Sequence, residues 1–264
     1  MAIRKFGRGV ALVGAGMSKF GAFPGKSSRD LFVDAFQEML GSVDKGFDAN
    51  DIEALYIGNF SSGLFENQGH TAPIMADWVG LTPRPATAIE DACASGGAAL
   101  RQGAIAVASG LYDVVLVGGI EKMTDLPIER VTDALATAAD ALYEVPAGFT
   151  FPGLYASMAT AYMAQYGANL DVFPKVGYKN HENGALNDKA QFGQRISSIM
   201  AARKASAAKK GLPIPTWTTE MEFLKDDRAN PIIAWPMRLY DCSPVSDGAA
   251  AVLLVSEEIA KRFT

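Results

Sequence analysis

The sequence predicts an α/β fold, a mixed β-sheet covered by helices and interrupted by a large inserted loop domain. Three observations predict it. Short β-branched runs alternate with amphipathic segments in the first part of the chain. From Gly119 to about Trp235 the texture changes to Met, Gly, Pro and charge clusters. An apolar run with strand character then returns at 249–255.

Taken in order, residues 10–13 read as a strand, 31–40 as a helix with apolar residues at helical spacing, and 52–57 as a second strand. The βαβ pattern repeats with a strand at 86–90, a small-residue helix at 95–109 and a buried-looking strand at 113–118. The middle of the chain predicts several helices and no strand ladder. The expected organisation is therefore one α/β domain made of 1–119 and 236–264, with 120–235 as the inserted loop domain. There is no tandem repeat and no low-complexity tract.

With 264 residues, 49% hydrophobic and 20% charged, the chain is long enough for a sizeable core. Its formal net charge of -5 argues against a nucleic-acid groove. Arg203, Lys204, Lys209 and Lys210 read either as a local patch for an anionic ligand or as a solvated helix face. Apolar runs are far shorter than the ~20 residues of a membrane span. Arg4, Lys5 and Arg8 precede a short apolar run, but Gly14-Ala15-Gly16 breaks it, so the expected location is cytoplasmic. Cys93 and Cys242 are too few for a disulfide framework and stay thiols in a reducing compartment. No Cys/His spacing suits zinc.

The strongest chemical signal is Glu90-Asp91-Ala92-Cys93-Ala94-Ser95-Gly96-Gly97. A strand ends, a cysteine follows, and a small-residue helix begins. Backbone amides and the positive dipole end at such a helix start favour a thiolate, the form that attacks carbonyl carbon. Gly96 and Gly97 would permit a tight turn and let a thioester and backbone donors approach closely, as an oxyanion hole requires. The alternative is that Cys93 is a small buried hydrophobe.

Together with Val117-Gly118-Gly119-Ile120-Glu121-Lys122-Met123, this segment resembles the nucleophile motif and the Gly-Gly-x-Glu-x-Met strand end of thiolases. Residues 179–187 (Lys-Asn-His-Glu-Asn-Gly-Ala-Leu-Asn) and 239–251, from Leu239-Tyr240-Asp241-Cys242-Ser243 onward, resemble the sterol-carrier-protein and archaeal-type branch of that family. The resemblance implies a thiolase-like layered fold, of which this chain is the N-terminal half. It implies an acyl-CoA acyltransferase in which Cys93 takes an acyl group from a CoA thioester before Claisen condensation, or before thiolysis in reverse. CoA and acyl-CoA are then substrates, with no separate cofactor or metal. In the family, an activating histidine and a second catalytic cysteine come from a C-terminal half that is expected to be absent here. A truncated thiolase acting as a CoA-binding or assembly module, or a related condensing enzyme, are the other readings. Self-association is expected from the apolar surface such a half exposes, and the resemblance admits a small zinc-ribbon and OB-fold partner protein.

Two further residues carry binding roles under the resemblance. His181 would contact the acyl or pantetheine group, against a structural role. Ser243 would lie beside the CoA tail, against a turn role before Pro244. Cys242 reads as a packed thiol and Asp247-Gly248 as a tight turn. His70 reads as a surface or capping residue, with Thr71 and Asn67 as equal candidates for the cap. Phe149, Phe151, Leu154, Tyr155 and Met158 line an apolar pocket or form core. Gly14-Ala15-Gly16 starts like a dinucleotide loop, but Lys19 stands where the third glycine belongs, so a glycine-rich connection leaving the first strand is the alternative.

Overall fold

Apolar residues of the central strands alternate between two helix layers, and this alternation organises the sheet. The structure, a computed structural model, describes residues 7–264; Arg4 and Lys5 lie outside them. In chain order the elements are β1 (Val10–Met17), α1 (Ser28–Gly41), β2 (Ala54–Gly58), α2 (Ser62–Phe65), α3 (Thr71–Trp78), β3 (Ala86–Ile89), α4 (Ser95–Ala108) and β4 (Val114–Glu121). There follow α5 (Ile128–Ala136), α6 (Phe151–Tyr166), α7 (Val172–Gly184), α8 (Ile196–Lys209), α9 (Glu220–Lys225), β5 (Ile232–Ala234), β6 (Met237–Arg238) and β7 (Gly248–Ser256). The chain divides into two compact units. One runs to Ala134 and resumes as Val245–Thr264; the other is Leu135–Pro244.

In the first unit the strand order is β1-β7-β4-β2-β3. β7 runs antiparallel to both β1 and β4, whereas β2 is parallel to β4 and β3. The sheet is thus mixed, as the sequence predicts. Along β4, Val114, Leu116 and Ile120 enter one core with Phe32, Phe36 and Met39 of α1 and Met75 of α3. Val115 and Val117 enter the other, with Ala99 and Val107 of α4. β7 alternates in step, Leu253 and Val255 to the first core and Leu254 to the second. Burial on both faces explains why these strands read as continuous apolar runs.

Gly14 and Gly16 lie inside β1, not in a loop after it, which corrects both sequence readings of that segment. Their role is close packing. A Cβ on Gly16 would stand 2.2 Å from the Ala35 carbonyl oxygen and 2.2 Å from the Met39 backbone nitrogen. The helix also covers the free edge of β1: Ala15 N–H donates to Ser42 Oγ (2.8 Å) and Met17 N–H to Glu38 Oε2 (2.6 Å). Edge groups that would otherwise template aggregation are thereby used. Gly16→Ala is expected to lower unfolding stability by about 3 kcal/mol, because backbone rather than a flexible side chain must retreat. The midpoint of urea unfolding measures it.

In the second unit, Ile196 of α8, Phe223 and Leu224 of α9, and Ala229 form a small core, joined by Tyr178, Trp217 and Tyr240. Asn230 is fully buried within it and satisfied at both ends, donating to the Leu224 carbonyl (2.8 Å) and accepting from Tyr240 N–H (2.9 Å). α9 is closed by a capping box between Thr219 and Glu222. Residues 120–235 are expected to hold no strand ladder, yet β5 forms at their end and pairs antiparallel with β6 just beyond them. Strands of two and three residues are too short for a period of two to register in sequence.

Candidate active site

Cys93 sits in a 3-10 turn, Ala92–Ala94, between β3 and the first turn of α4. It is exposed, which sets aside the reading of a packed core thiol. The turn is held by Ser95, whose buried hydroxyl donates to the Ala92 carbonyl (2.6 Å) and accepts from Asp91 N–H (2.8 Å). Glu90 accepts from Ala92 N–H at 2.6 Å. Ala92 has φ +44°, a left-handed conformation that costs an L-residue about 1–2 kcal/mol. The strained residue of the turn is therefore Ala92, while Gly96 and Gly97 lie within the first turn of α4. Nothing stands within 4 Å of where a Cβ on either glycine would point, so the side of each glycine that a side chain would occupy is open. No side chain caps α4 at Ala94, so the positive end of a 14-residue helix lies next to Cys93.

The carboxyl ends of β2 and β4 brace this turn. A Cβ on Gly58 would meet the Ser95 carbonyl carbon and oxygen at 2.5 Å and the Gly96 nitrogen at 2.6 Å, so the end of β2 is pressed against the start of α4. The next residue, Asn59, donates backbone N–H to the Ile89 carbonyl (3.1 Å) and its amide to the Ile120 carbonyl (2.8 Å). Glu121 accepts from Phe60 N–H (2.8 Å), Ser61 N–H (3.2 Å) and the Asn59 amide (3.2 Å). Burial pushes the Glu121 carboxyl up, and those hydrogen bonds only partly offset it.

Asp247 is more than a turn residue, which corrects the sequence reading. It is completely buried and accepts from Lys122 Nζ (2.9 Å), Met123 N–H (2.8 Å), Thr124 N–H (2.9 Å), Thr124 Oγ1 (2.6 Å) and Phe23 N–H (3.0 Å). Lys122 is itself buried and also reaches Asp125 at 2.6 Å. The sequence reading gave Asn59, Glu121, Lys122 and Asp247 no binding or catalytic role. The available signal was a charge placed directly at the end of a doubly buried strand, which has to find a partner there.

The second unit holds the other two predicted site residues. His181, in the last turn of α7, is buried, with Nδ1 3.2 Å from the Gln194 carbonyl. Its ring stacks on Phe192 (5.6 Å, 10°) and tilts against Tyr240 (5.5 Å). Ser243 is exposed. Cys242 is half-buried, donates to the Arg238 carbonyl, and is pushed up by burial and by neighbouring Asp241. The four basic residues differ in their contacts: Arg203 bonds the Ala229 carbonyl and lies over the Phe223 ring, Lys204 bonds the Trp217 carbonyl, and Lys209 and Lys210 are exposed. Phe149, Tyr155 and Met158 are exposed, Phe151 and Leu154 half-buried, and only Ala156 of α6 is buried. In the first unit, His70 occupies the N-cap of α3 but its side chain makes no capping bond.

Residues 10–258 match the thiolase N-terminal domain family. The chain belongs to the thiolase family. It is 40% identical over 258 residues to an acetyl-CoA acetyltransferase of Methanothermobacter thermautotrophicus, an alignment that covers 97% of this chain and 59% of that one. The thiolase fold is shared with a solved Ltp2-ChsH2(DUF35) aldolase, at a TM-score of 0.68 and 24% identity over 98% of this chain and 58% of that one. It is shared also with human mitochondrial 3-ketoacyl-CoA thiolase in complex with CoA, at a TM-score of 0.63 and 18% identity over 97% and 67% of the two chains. The chain thus spans about three-fifths of the length of the acetyltransferase relative it matches. Among the described residues, no helix is long and apolar enough to cross a membrane.

Proposed function

We propose that this chain is the acyl-accepting part of a thiolase-type acyl-CoA acyltransferase, with Cys93 as nucleophile. The observation that carries the reading is an exposed thiol on a strained turn at the start of α4, which no side chain caps, with the open Cβ sides of Gly96 and Gly97 in the helix's first turn. Cys93, giving up its thiol proton, attacks the thioester carbonyl; a new C–S bond forms, the C–S bond to CoA breaks, and CoA departs as a thiol, the proton it takes up balancing the one Cys93 lost. The positive helix end and nearby backbone donors stabilise the oxyanion of the tetrahedral intermediate. In condensation the α-carbon of a second acyl-CoA, having lost its α-proton to a base, then attacks the acyl carbonyl and the C–S bond to Cys93 breaks. In the cleavage direction Cys93 instead attacks the 3-keto carbonyl of a 3-ketoacyl-CoA, the bond between C2 and C3 breaks as C2 takes up a proton, and the acyl group passes from Cys93 to the sulfur of free CoA.

His181 and Ser243 are the proposed contacts for the acyl or pantetheine arm. The DUF35 component of the aldolase neighbour supports a small partner protein for this chain as well, and self-association accords with the apolar side chains exposed on α6.

The reading is tested by intact-protein mass spectrometry after incubation with acetyl-CoA and with a longer acyl-CoA. The expected result is a single acyl adduct, mapped by peptide digestion to Cys93 and not to Cys242. CoA binding without any adduct would instead mark a binding module.

A further inference from the structure

We infer that Asn59 and Glu121 are a positioning pair that sets the backbone of the Cys93 turn by clamping the β2–α2 loop against it. The inference deepens the acyl-transfer reading and rests on it for its catalytic consequence. Its basis is a chain of contacts within one unit. Asn59 ties together the carboxyl ends of three neighbouring strands: its backbone bonds β3 at Ile89, four residues before Cys93, and its side chain bonds β4 at Ile120 and Glu121. Its Oδ1 also accepts from Ser62 N–H at 3.1 Å, fixing the start of α2. Glu121 gathers two successive loop amides, Phe60 and Ser61, which no strand pairing uses. Because Gly58 touches the Ser95 and Gly96 backbone with no room for a Cβ, any drift of this loop is transmitted to the residues two and three beyond the nucleophile.

Neither side chain needs to touch substrate for this. A turn displaced by a fraction of an ångström moves the thiol and the amide donors relative to the thioester carbonyl, and acylation rates depend steeply on that geometry. A structural role alone would lower stability without separating rate from binding.

The experiment compares wild type, Glu121→Gln, Glu121→Ala and Asn59→Ala with Val13→Ala, a β1 core variant that loosens the sheet away from the turn. Two quantities are read: saturation kinetics of Cys93 acylation by acetyl-CoA, and hydrogen exchange of the peptide covering residues 90–97. Expected are a maximal acylation rate lowered about tenfold or more in the two alanine variants and less in Glu121→Gln, with the half-saturating acetyl-CoA concentration unchanged. Exchange at 90–97 should accelerate in the same order, and Val13→Ala should change neither quantity at the turn. Unchanged exchange at 90–97 in Glu121→Ala, or an equal loss of rate in Val13→Ala, overturns the inference. If the wild-type chain takes no acyl group, the acyl-transfer reading fails by itself, and the exchange order still decides whether the pair positions the turn.

Discussion

Asp247→Ala is expected to destabilise the sheet unit by about 3–5 kcal/mol, because it strips a buried ammonium of its buried partner. Asp247 and Lys122 are both fully buried and 2.9 Å apart, and the same carboxylate accepts three backbone N–H groups and a threonine hydroxyl. Removing it leaves those donors without an acceptor and Lys122 with only Asp125, which is half exposed. Lys122→Met combined with Asp247→Asn is expected to recover part of the loss, since the uncompensated charge is the larger penalty. Chemical denaturation of the single and double variants measures both values. A pH dependence accompanies them. Burial alone would push the Asp247 carboxyl up, but the bonds from Thr124, Lys122 and the backbone outweigh it, so its value falls below the ordinary 3.8. A carboxyl lowered on folding contributes stability that is complete above the unfolded value and is lost as pH falls through the folded one. Lys122 is raised, burial being outweighed by its bonds to Asp125 and Asp247, so its contribution is complete below 10.5 and is lost only in strong alkali. Wild type should therefore lose stability as pH drops below about 4, and Asp247→Asn should show a shallower acid limb.

What the sequence disclosed and what it hid follow from the range of the forces involved. The run Val114-Val115-Leu116-Val117 is legible because a strand buried on both faces has no polar position to spare. The Cys93 turn is legible because a strand end, a cysteine and a small-residue helix are adjacent in the chain. Gly14 and Gly16 were not legible: Gly-x-Gly after β-branched residues looks the same in a phosphate loop and in a strand pressed on a helix. Only the approach of the α1 backbone, two dozen residues away in sequence, separates the two. The Lys122–Asp247 pair joins positions separated by 125 residues, and no local pattern encodes such a partnership. Local reading also assigned the turn's special backbone to glycine, whereas the structure places it on Ala92, held there by Ser95 and Glu90. A mixed sheet was legible, but which strand reverses was not: β7 inserts antiparallel between β1 and β4, a placement set by long-range pairing.

Cys93→Ala is expected to abolish acyl capture from acyl-CoA while shifting unfolding stability by no more than about 0.5 kcal/mol, the usual range for a surface position. The separation of the two effects follows from position. A cysteine packed in the core would leave a cavity when truncated and would lower stability by a kcal/mol or more. Cys93 is exposed, and the bonds that hold its turn belong to Asp91, Ala92 and Ser95, which the substitution leaves in place. Cys242 supplies the internal contrast. It is half-buried, hydrogen-bonded to Arg238, and held toward the neutral thiol by burial and by Asp241, so it should take up acyl groups no faster in the variant than in wild type. Ser95→Ala gives the complementary pattern. It spares the nucleophile but removes the hydroxyl that joins Asp91 to Ala92, so stability should fall by about 1 kcal/mol and acyl capture should slow without vanishing. Denaturation midpoints and adduct yields for the two variants therefore separate the group that reacts from the group that holds it in place. A Cys93→Ala protein that still acquired an acyl group at full yield would move the nucleophile elsewhere in the chain.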